Sequence, residues 1–593
     1  MALFFGQSMR ERITLAFLVA CLLAPCLLAQ RGEPARNPGA AARPLSQVAG
    51  VPARLGDHLK VGPMGHLARA QEAASDQLRS LEEWNQAGKV PRRTGFVRPL
   101  PDPFRVTLEY AGAQPQLHQG GVLGLATSGN TAWAGSFRVE GARALRLRLT
   151  DISLPPGTVL WVYGDPQGDT HSFTLQSVDP EGGGLWSPTV EGETIWLEVQ
   201  LPEAALTPAS SFAVADILEI VDLPEQQPSL DSRPLADTCF VKGACVPEAT
   251  QPLIADYREA IARLSFINGS YSYLCSGGLL NDNDLSGVVP YLLTANHCFS
   301  NQSSASSLEA YWDYTSTSCG GSLPSLYSVP RTLGSTLLAT GTDSDFTFVR
   351  LAQAPPGPRY YLGWDANSAA VGDGTVLDRV SHPNGGEQHF TRSAIEANGL
   401  ISCPELPRPR FIYSSLLSGG TAGGSSGSPA IKDGGYVVGQ LFGVCGSNIE
   451  DNCDGAGNRL VDGAFASTYS QISNWLENST PPTCVPNSGS LCLNNSRFRV
   501  EVQWRTPNGT TGAGQAVAQT GDTGSFWFFS SANLELFVKM LDSRTVNGHF
   551  WFFWGALTDV EYRISVTDTT TGAVKQYTGA QHVQASGHDL AAF

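Results

Sequence analysis

From residue 104 onward the chain is written in short runs that alternate apolar and polar residues between turn-forming clusters. FRVTLEY, AWAGSFRVE, ALRLRLTDI, TVLWVYGD, TIWLEVQLP and FAVADILEIV follow one another between residues 104 and 221. A period of two sends side chains to opposite faces of a strand, so each run reads as a strand with one buried face. Such runs, separated by turns, predict a β-sandwich. After Cys492 a second set, RFRVEVQWR, GSFWFFSS, LELFVKMLD, HFWFFWGAL, EYRISVTD and KQYTG, predicts another β unit. Alternation there turns half of the aromatics of FWFF and HFWFFW inward, so core packing accounts for them. The 63 glycines and 38 prolines, against few long helical patterns, make the whole chain all-β in class.

The first residues read as an address. MALFFGQSMRER carries Arg10 and Arg12, and the apolar stretch ITLAFLVACLLAPCLLA ends at Ala29 before polar QRGEPAR. That is the layout of a secretory signal peptide over residues 1–29. LVAC at 18–21 resembles a lipid-attachment box, but the apolar run continues well past Cys21, which argues against lipidation. No later segment reaches the ~20 apolar residues of a membrane span, so the mature protein is expected to be exported and free of the membrane. The net charge of −16, with no concentrated basic patch, argues against nucleic acid.

Ten cysteines lie beyond the leader, an even number with no CxxC pair. In an exported chain this favours disulfides over zinc or redox chemistry. No metal or cofactor is called for. NIEDNCDGAGN (448–458) is acidic but lacks the alternating ligand spacing of an EF-hand, so it reads as a solvated loop.

Composition shifts divide the rest. Residues 30–100 form an extended and helical segment: 30–65 are rich in Pro, Gly, Ala and Arg, and 67–84 place Leu67, Ala70, Ala74, Leu78, Leu81 and Trp84 at helical spacing. The sandwich takes 101–225, and a Pro-rich linker crosses 221–237. A cysteine-bearing unit covers 235–478 and ends in a helix, TYSQISNWLEN; the last β unit covers 484–593.

Three stretches of the middle unit carry chemistry. YLLTANHCF sets His297 after a strand-like run, DSDFTFVRL sets Asp345 at the head of another, and GGSSGSP sets Ser426 in a glycine-rich turn. A serine hydroxyl becomes a nucleophile when an imidazole can take its proton, and a carboxylate must hold that imidazole in one tautomer. Gly424 and Gly427 let the backbone turn tightly around Ser426, so that the Gly424 and Ser426 amides converge as an oxyanion hole. Asp343 is a nearby rival for the role of Asp345, and His382 and His389 are the other histidines of the unit.

TANHC, SDFTF and GSSGSP resemble the chymotrypsin-like serine proteases. TCFVKGACVPE (238–248), CSGGLLN, YWDYTSTSC, LGWD, HPNGGEQ and GQLFG are similar to the secreted bacterial lysyl endopeptidase branch, over about 240 residues. The resemblance implies a double β-barrel hydrolysing protein or peptide substrates through an acyl-enzyme, with His297, Asp345 and Ser426 as triad. It implies the pairs Cys275–Cys298 and Cys245–Cys319, and a local clip between Cys484 and Cys492. Three pairings remain open for Cys239, Cys403, Cys445 and Cys453, with Cys239 leaning towards the 445/453 loop. The unit at 101–225 resembles the branch's pro-region, which implies a folding assistant and inhibitor partnering the protease; the alternative is a permanent accessory domain.

The chain also departs from these patterns. Ser425 stands where chymotrypsin carries an aspartate that pairs with a freed N-terminal amine, so maturation is expected to release an intact fold. Gly420 stands where trypsin-type enzymes place their specificity aspartate. Asp462, with Thr421, is the best match for a pocket favouring basic side chains. Ala422 and Phe442 replace the branch's glutamate and histidine, which leaves strict lysine preference open. Arg233, followed by Pro234, is the sole basic residue from 200 to 238, so self-release at a linker lysine is not available. The rival readings are a catalytically silent protease-like binding protein and a surface-adhesion protein.

Overall fold

The computed structural model describes residues 31–37, 54, 74–108, 115–221, 239–477 and 484–593, apart from 127, 156, 165–169, 174–183, 203–209, 284–287, 485, 495, 548 and 570–572. The leader expected at 1–29, the expected linker with Arg233 and Pro234, and the first residues of the helix expected over 67–84 lie outside the described residues.

The N-terminal elements are β1 (Arg31–Gly32), β2 (Ala35–Asn37), α1 (Ala74–Gln86) and β3 (Arg92–Leu108). Residues 31–37, part of a stretch expected to be extended or disordered, instead form two short strands, each paired with another segment. In α1, Leu81 is buried as its spacing predicts, but Leu78 is 38% exposed. The helix docks through its last turn instead: Trp84 packs edge-on against Tyr273 and donates to the Pro91 carbonyl at 2.9 Å.

The sandwich is built around β4 (Thr131–Arg138), β5 (Ala144–Ser153), β6 (Thr194–Gln200) and β7 (Ser210–Ile220). β4 and β6 pair within one six-stranded sheet, while β7 lies between β3 and β5 in the other. Trp133, Phe137, Leu147, Leu197 and Phe212 fill the space between them, fully buried.

The middle unit holds α2 (Ile254–Ala260) near its start. Its first barrel comprises β8 (Ile261–Asn268), β9 (Tyr271–Leu280), β10 (Tyr291–Ala295), β11 (Glu309–Tyr311), β12 (Arg331–Leu333), β13 (Ser335–Gly341) and β14 (Phe346–Leu351). The crossing segment holds β15 (Arg359–Tyr361) and β16 (Gly363–Asp365). The second barrel comprises β17 (Val376–Ser381), β18 (His389–Ile395), β19 (Phe411–Ser418), β20 (Pro429–Lys432), β21 (Tyr436–Gly446) and β22 (Asn458–Ala464), and α3 (Phe465–Leu476) closes the unit. These six strands form a closed ring in the order β21, β20, β17, β18, β19, β22 and back to β21. Leu293, Phe346, Phe348, Val380, Ile431, Val437 and Phe465 share one cluster, so the two barrels have a common core where they meet. The C-terminal unit is two five-stranded sheets. In HFWFFWGA, Phe550 and Phe552 are buried and Trp551 and Phe553 only partly, as alternation predicts.

The sandwich and the first barrel are continuous. β3 pairs antiparallel with β9, Tyr271 opposite Phe96 and Leu274 opposite Arg92, so one sheet of twelve strands runs through both. Beside it lies a buried ionic joint. Glu309 of β11 accepts from the Thr189 amide at 3.1 Å and hydroxyl at 2.5 Å, and from Arg331 at 2.8 Å, with Arg146 of β5 at 3.7 Å. Arg331 also donates to the Thr189 carbonyl at 2.8 Å and to His171 Nε2 at 3.1 Å. Burial raises the Glu309 carboxyl, but Arg146, Arg331 and the Thr189 hydrogen bond outweigh it and leave it at about 2. Burial and the Arg331 charge hold His171 down at about 3.

Both shifts make the joint acid-labile. Between pH 6.5 and 3 the unfolded chain protonates His171 while the folded chain does not, and below 4.5 the same becomes true of Glu309. Thermal scans should therefore show the full chain losing stability as pH falls below 6.5, by up to about 1.4 kcal/mol per pH unit from His171. His171→Gln should flatten the decline above pH 4.5 and, between 4.5 and 3, leave only the share that comes from Glu309.

Candidate functional site

His297 follows the end of β10 and Asp345 precedes β14, two strands that pair with Ala295 opposite Phe346. The pairing brings imidazole and carboxylate together. Asp345 Oδ2 lies 2.7 Å from His297 Nδ1, and Oδ1 accepts from the His297 amide at 2.8 Å. Asp345 adopts φ +52°, and its carbonyl accepts from Asn296 at 3.0 Å and Gln440 at 3.3 Å. The backbone is thus held from both barrels while the side chain is aimed. Asp343 does not compete: it is exposed and paired with Arg410 at 2.9 Å.

The Ser426 turn comes from the other barrel, just before β20. Gly424 and Gly427 have φ of +98° and +79°, a conformation that favours glycine. A Cβ at Gly427 would lie 2.2 Å from Thr294 Oγ1, and one at Gly424 would lie 2.7 Å from the His382 carbonyl. The turn is bonded to the first barrel: Ser276 of β9 donates its amide to Ser426 O and its hydroxyl to Gly424 O, both at 2.8 Å. The Gly427 amide donates to Leu441 O at 2.8 Å. Neither the Gly424 nor the Ser426 amide donates to any described residue. His297 Nε2 is buried and has no hydrogen-bond partner among the described residues, Ser426 Oγ included.

Several neighbours shape this turn without a legible motif. Ser276 sits in CSGGLLN, where its hydroxyl also accepts from the His382 amide at 3.0 Å. His382 is structural: its Nδ1 lies 2.8 Å from Gly386 O, and burial lowers it to about 3, so it stays neutral. The Asn384 amide that follows donates to Gly423 O at 2.6 Å. Ser425, just ahead of Ser426, is fully buried, and its hydroxyl accepts from that of Ser381 at 3.1 Å. Phe442 lies edge-on to His297 with ring centroids 5.6 Å apart.

The candidate pocket residues stand differently from the expectation. Asp462 of β22 is fully buried and paired with Arg379 at 2.5 Å, while Arg379 also donates to Ser428 Oγ at 3.1 Å. Burial raises the Asp462 carboxyl against the pull of Arg379. Oδ1 is paired inside the barrel, and Oδ2, without a hydrogen-bond partner among the described residues, is buried too, so the carboxylate is not exposed to an incoming basic side chain. Thr421 is buried at 3% exposure. A Cβ at Gly420 would lie 3.0 Å from Cys239 Sγ, so the Cys239–Cys453 bridge fills the space a trypsin-type carboxylate would need.

The expected bridges Cys275–Cys298, Cys245–Cys319 and Cys484–Cys492 are present, and the open set resolves as Cys239–Cys453 and Cys403–Cys445. In the acidic loop, Asp454 Oδ1 accepts from the Gly457 amide at 2.7 Å and the Ala456 amide at 3.1 Å, closing a turn.

The N-terminal segment reaches this site. A Cβ at Gly423 would lie 3.9 Å from Val90 and 4.0 Å from Arg92, so the start of β3 passes over the turn that holds Ser426.

The lysyl endopeptidase C-terminal domain matches residues 235–456, and the lysyl endopeptidase N-terminal domain matches residues 125–217. The chain is kin to the lysyl endopeptidase family. A lysyl endopeptidase of Pseudomonas aeruginosa is 26% identical over 360 residues, 58% of this chain and 74% of that protein. The secreted RxLR effector protein 73 of Plasmopara viticola is 27% identical over 182 residues, covering 29% of this chain and 42% of that protein. Among solved structures, the active form of the Rv3671c protease of M. tuberculosis aligns with 15% identity and a TM-score of 0.27, covering 39% of this chain and 87% of that one. The HtrA-type protease AlgW with tripeptide aligns with 15% identity and a TM-score of 0.29, covering 58% and 98%.

Removing Asp462 would leave Arg379 charged and unpaired in the barrel. Asp462→Ala should lower stability in urea unfolding by about 3–5 kcal/mol, and Asp462→Leu with Arg379→Met should recover most of that loss.

Proposed function

We propose that this chain is an exported serine endopeptidase made as a precursor and held inactive by its own N-terminal half. The observation that carries the reading is the two-point hold of Asp345 on His297, which fixes the imidazole and leaves Nε2 without a competing partner. Kinship with the lysyl endopeptidases supports the peptidase class.

In this reading Ser426 Oγ attacks the scissile carbonyl while His297 Nε2 takes its proton. Asp345 keeps the Nδ1–H tautomer and stabilises the imidazolium. The Gly424 and Ser426 amides receive the oxyanion; a donor of this kind is worth ~100- to 1000-fold in rate. His297 then protonates the leaving amine, and water, activated by the same nitrogen, hydrolyses the acyl-enzyme. Catalytic hydrogen bonds often tighten only in the complex, which suits a precursor whose Ser426 and His297 are not yet bonded.

The shared sheet and the passage of Val90–Arg92 beside Gly423 support the inhibitory role of the N-terminal half. A leader over residues 1–29 and five disulfides support export. The Arg379–Asp462 pair gives a preference for basic side chains no free carboxylate at Asp462, so the reading stops at endopeptidase. The unbonded Ser426 also suits a silent protease-like binder, and covalent labelling separates the two.

A fluorophosphonate probe should label the matured chain at Ser426 and spare Ser426→Ala; an unlabelled, correctly folded mature chain would end the endopeptidase reading. Asp345→Asn should keep the fold and lower kcat/KM by about 10⁴-fold, because the imidazole is then held in the wrong tautomer. Peptide-library profiling should show no strict requirement for lysine before the cut bond.

A further inference from the structure

Far along the chain from the sandwich, residues 31–37 lie on the protease unit as a peptide ligand would. β1 pairs antiparallel with β16, Arg31 opposite Asp365 and Gly32 opposite Trp364. β2 pairs with β15, Ala35 opposite Tyr361 and Asn37 opposite Arg359. Among the described residues β2 is the sole strand partner of β15, and β1 covers the edge of β16 away from β21. Without residues 31–37 both edges would present unpaired amides and carbonyls, the template for adding a strand.

The seat is built for these side chains. A Cβ at Gly32 would lie 2.3 Å from Trp364 Nε1, so only glycine fits there, and Gly363 packs as closely against Gly32 O and Pro34. The Arg31 guanidinium lies 3.7 Å over the Tyr436 ring. Arg36 pairs with Asp256 and, at 3.1 Å, with Glu259, both on α2. Tyr436 donates to the Glu33 carboxylate, and Asn281 donates to the Glu33 carbonyl at 2.8 Å. Two arginines at a five-residue spacing, a glycine and a proline thus meet complementary partners from α2, the first barrel and the second. Both matched family domains begin after this segment.

We propose that β15 and β16 form a peptide-binding exosite whose resident ligand is Arg31–Asn37, and that this strap is a second anchor of the inhibitory N-terminal half. The first anchor is the β3–β9 pairing. Two linked contacts rebind faster than either alone, and linkage of this kind raises avidity ~100- to 10,000-fold. Cutting the linker before Cys239 therefore leaves the N-terminal half in place until the strap also lets go. The exosite stands on the geometry above; its inhibitory consequence rests on the endopeptidase reading.

The test uses the full chain with Ser426→Ala, which removes self-cleavage. Hydrogen exchange is followed at residues 359–365, with residues 271–280 as a folding control. Gly32→Val with Arg36→Glu should speed exchange at 359–365 at least tenfold and leave 271–280 unchanged. A synthetic peptide of residues 30–38 added to that variant should restore protection, and the same peptide with valine at position 32 should not. Equal exchange with and without the two substitutions, protection by neither peptide, or protection by both alike would overturn the exosite. In chains that keep Ser426, the same substitutions should shorten the lag before peptidase activity appears at least tenfold. An unchanged lag with altered exchange would overturn the anchoring role. A chain with no activity but the expected exchange pattern would overturn the endopeptidase reading and leave the exosite standing.

Discussion

The turn that carries Ser426 belongs to the second barrel but is hydrogen-bonded to the first. Ser276, from β9, holds the carbonyls of Ser426 and Gly424, and Gly427 is pressed so close to Thr294 that no side chain fits between them. His297 and Asp345 hang from the neighbouring strands β10 and β14. Strand spacing in the first barrel therefore fixes all three groups relative to one another. The left-handed backbone at Gly424 and Gly427 is the local cost of this arrangement, and the Gly424 and Ser426 amides donate to none of the described residues.

The same first barrel is also the foundation for the N-terminal half. Its strand β9 supports the Ser426 turn through Ser276 and takes β3 as a neighbour through Tyr271–Leu274. An element paired with that strand reaches the cleft without a separate docking domain, and Val90 and Arg92 lie beside Gly423 for that reason. The buried charges of Glu309, Arg331 and Arg146, with His171 against Arg331, then lock the sandwich to the barrel. Replacing a buried ion pair by well-packed apolar groups is often neutral or stabilising, so such contacts are weak evidence for net stability.

What the amino-acid sequence could reveal depended on range. Alternation along FRVEVQWR and HFWFFWGA is a local property, and burial follows it residue by residue. His297, Asp345 and Ser426 were legible because each sits in a short stretch whose order along the chain matches a family. Asp462 was legible as a buried carboxylate candidate, but its partner Arg379 lies 83 residues earlier, and nothing near either residue announces the pairing. Leu78 shows the same limit at smaller scale: helical spacing gives it a face, but only the position of β3 decides which part of that face is covered.

By itself, then, the sequence determined the β class, named His297, Asp345 and Ser426 as candidates and showed which cysteines were free to pair, because these depend on residue type and on neighbours within a few positions. Tertiary structure alone decided that β3 joins the first barrel, that residues 31–37 lie across α2 and the second barrel, and that Arg379 consumes the charge of Asp462. Those are contacts between surfaces assembled from distant segments. Their free energy comes from shape and charge brought together by the fold, and no single segment carries enough of either to disclose its partner.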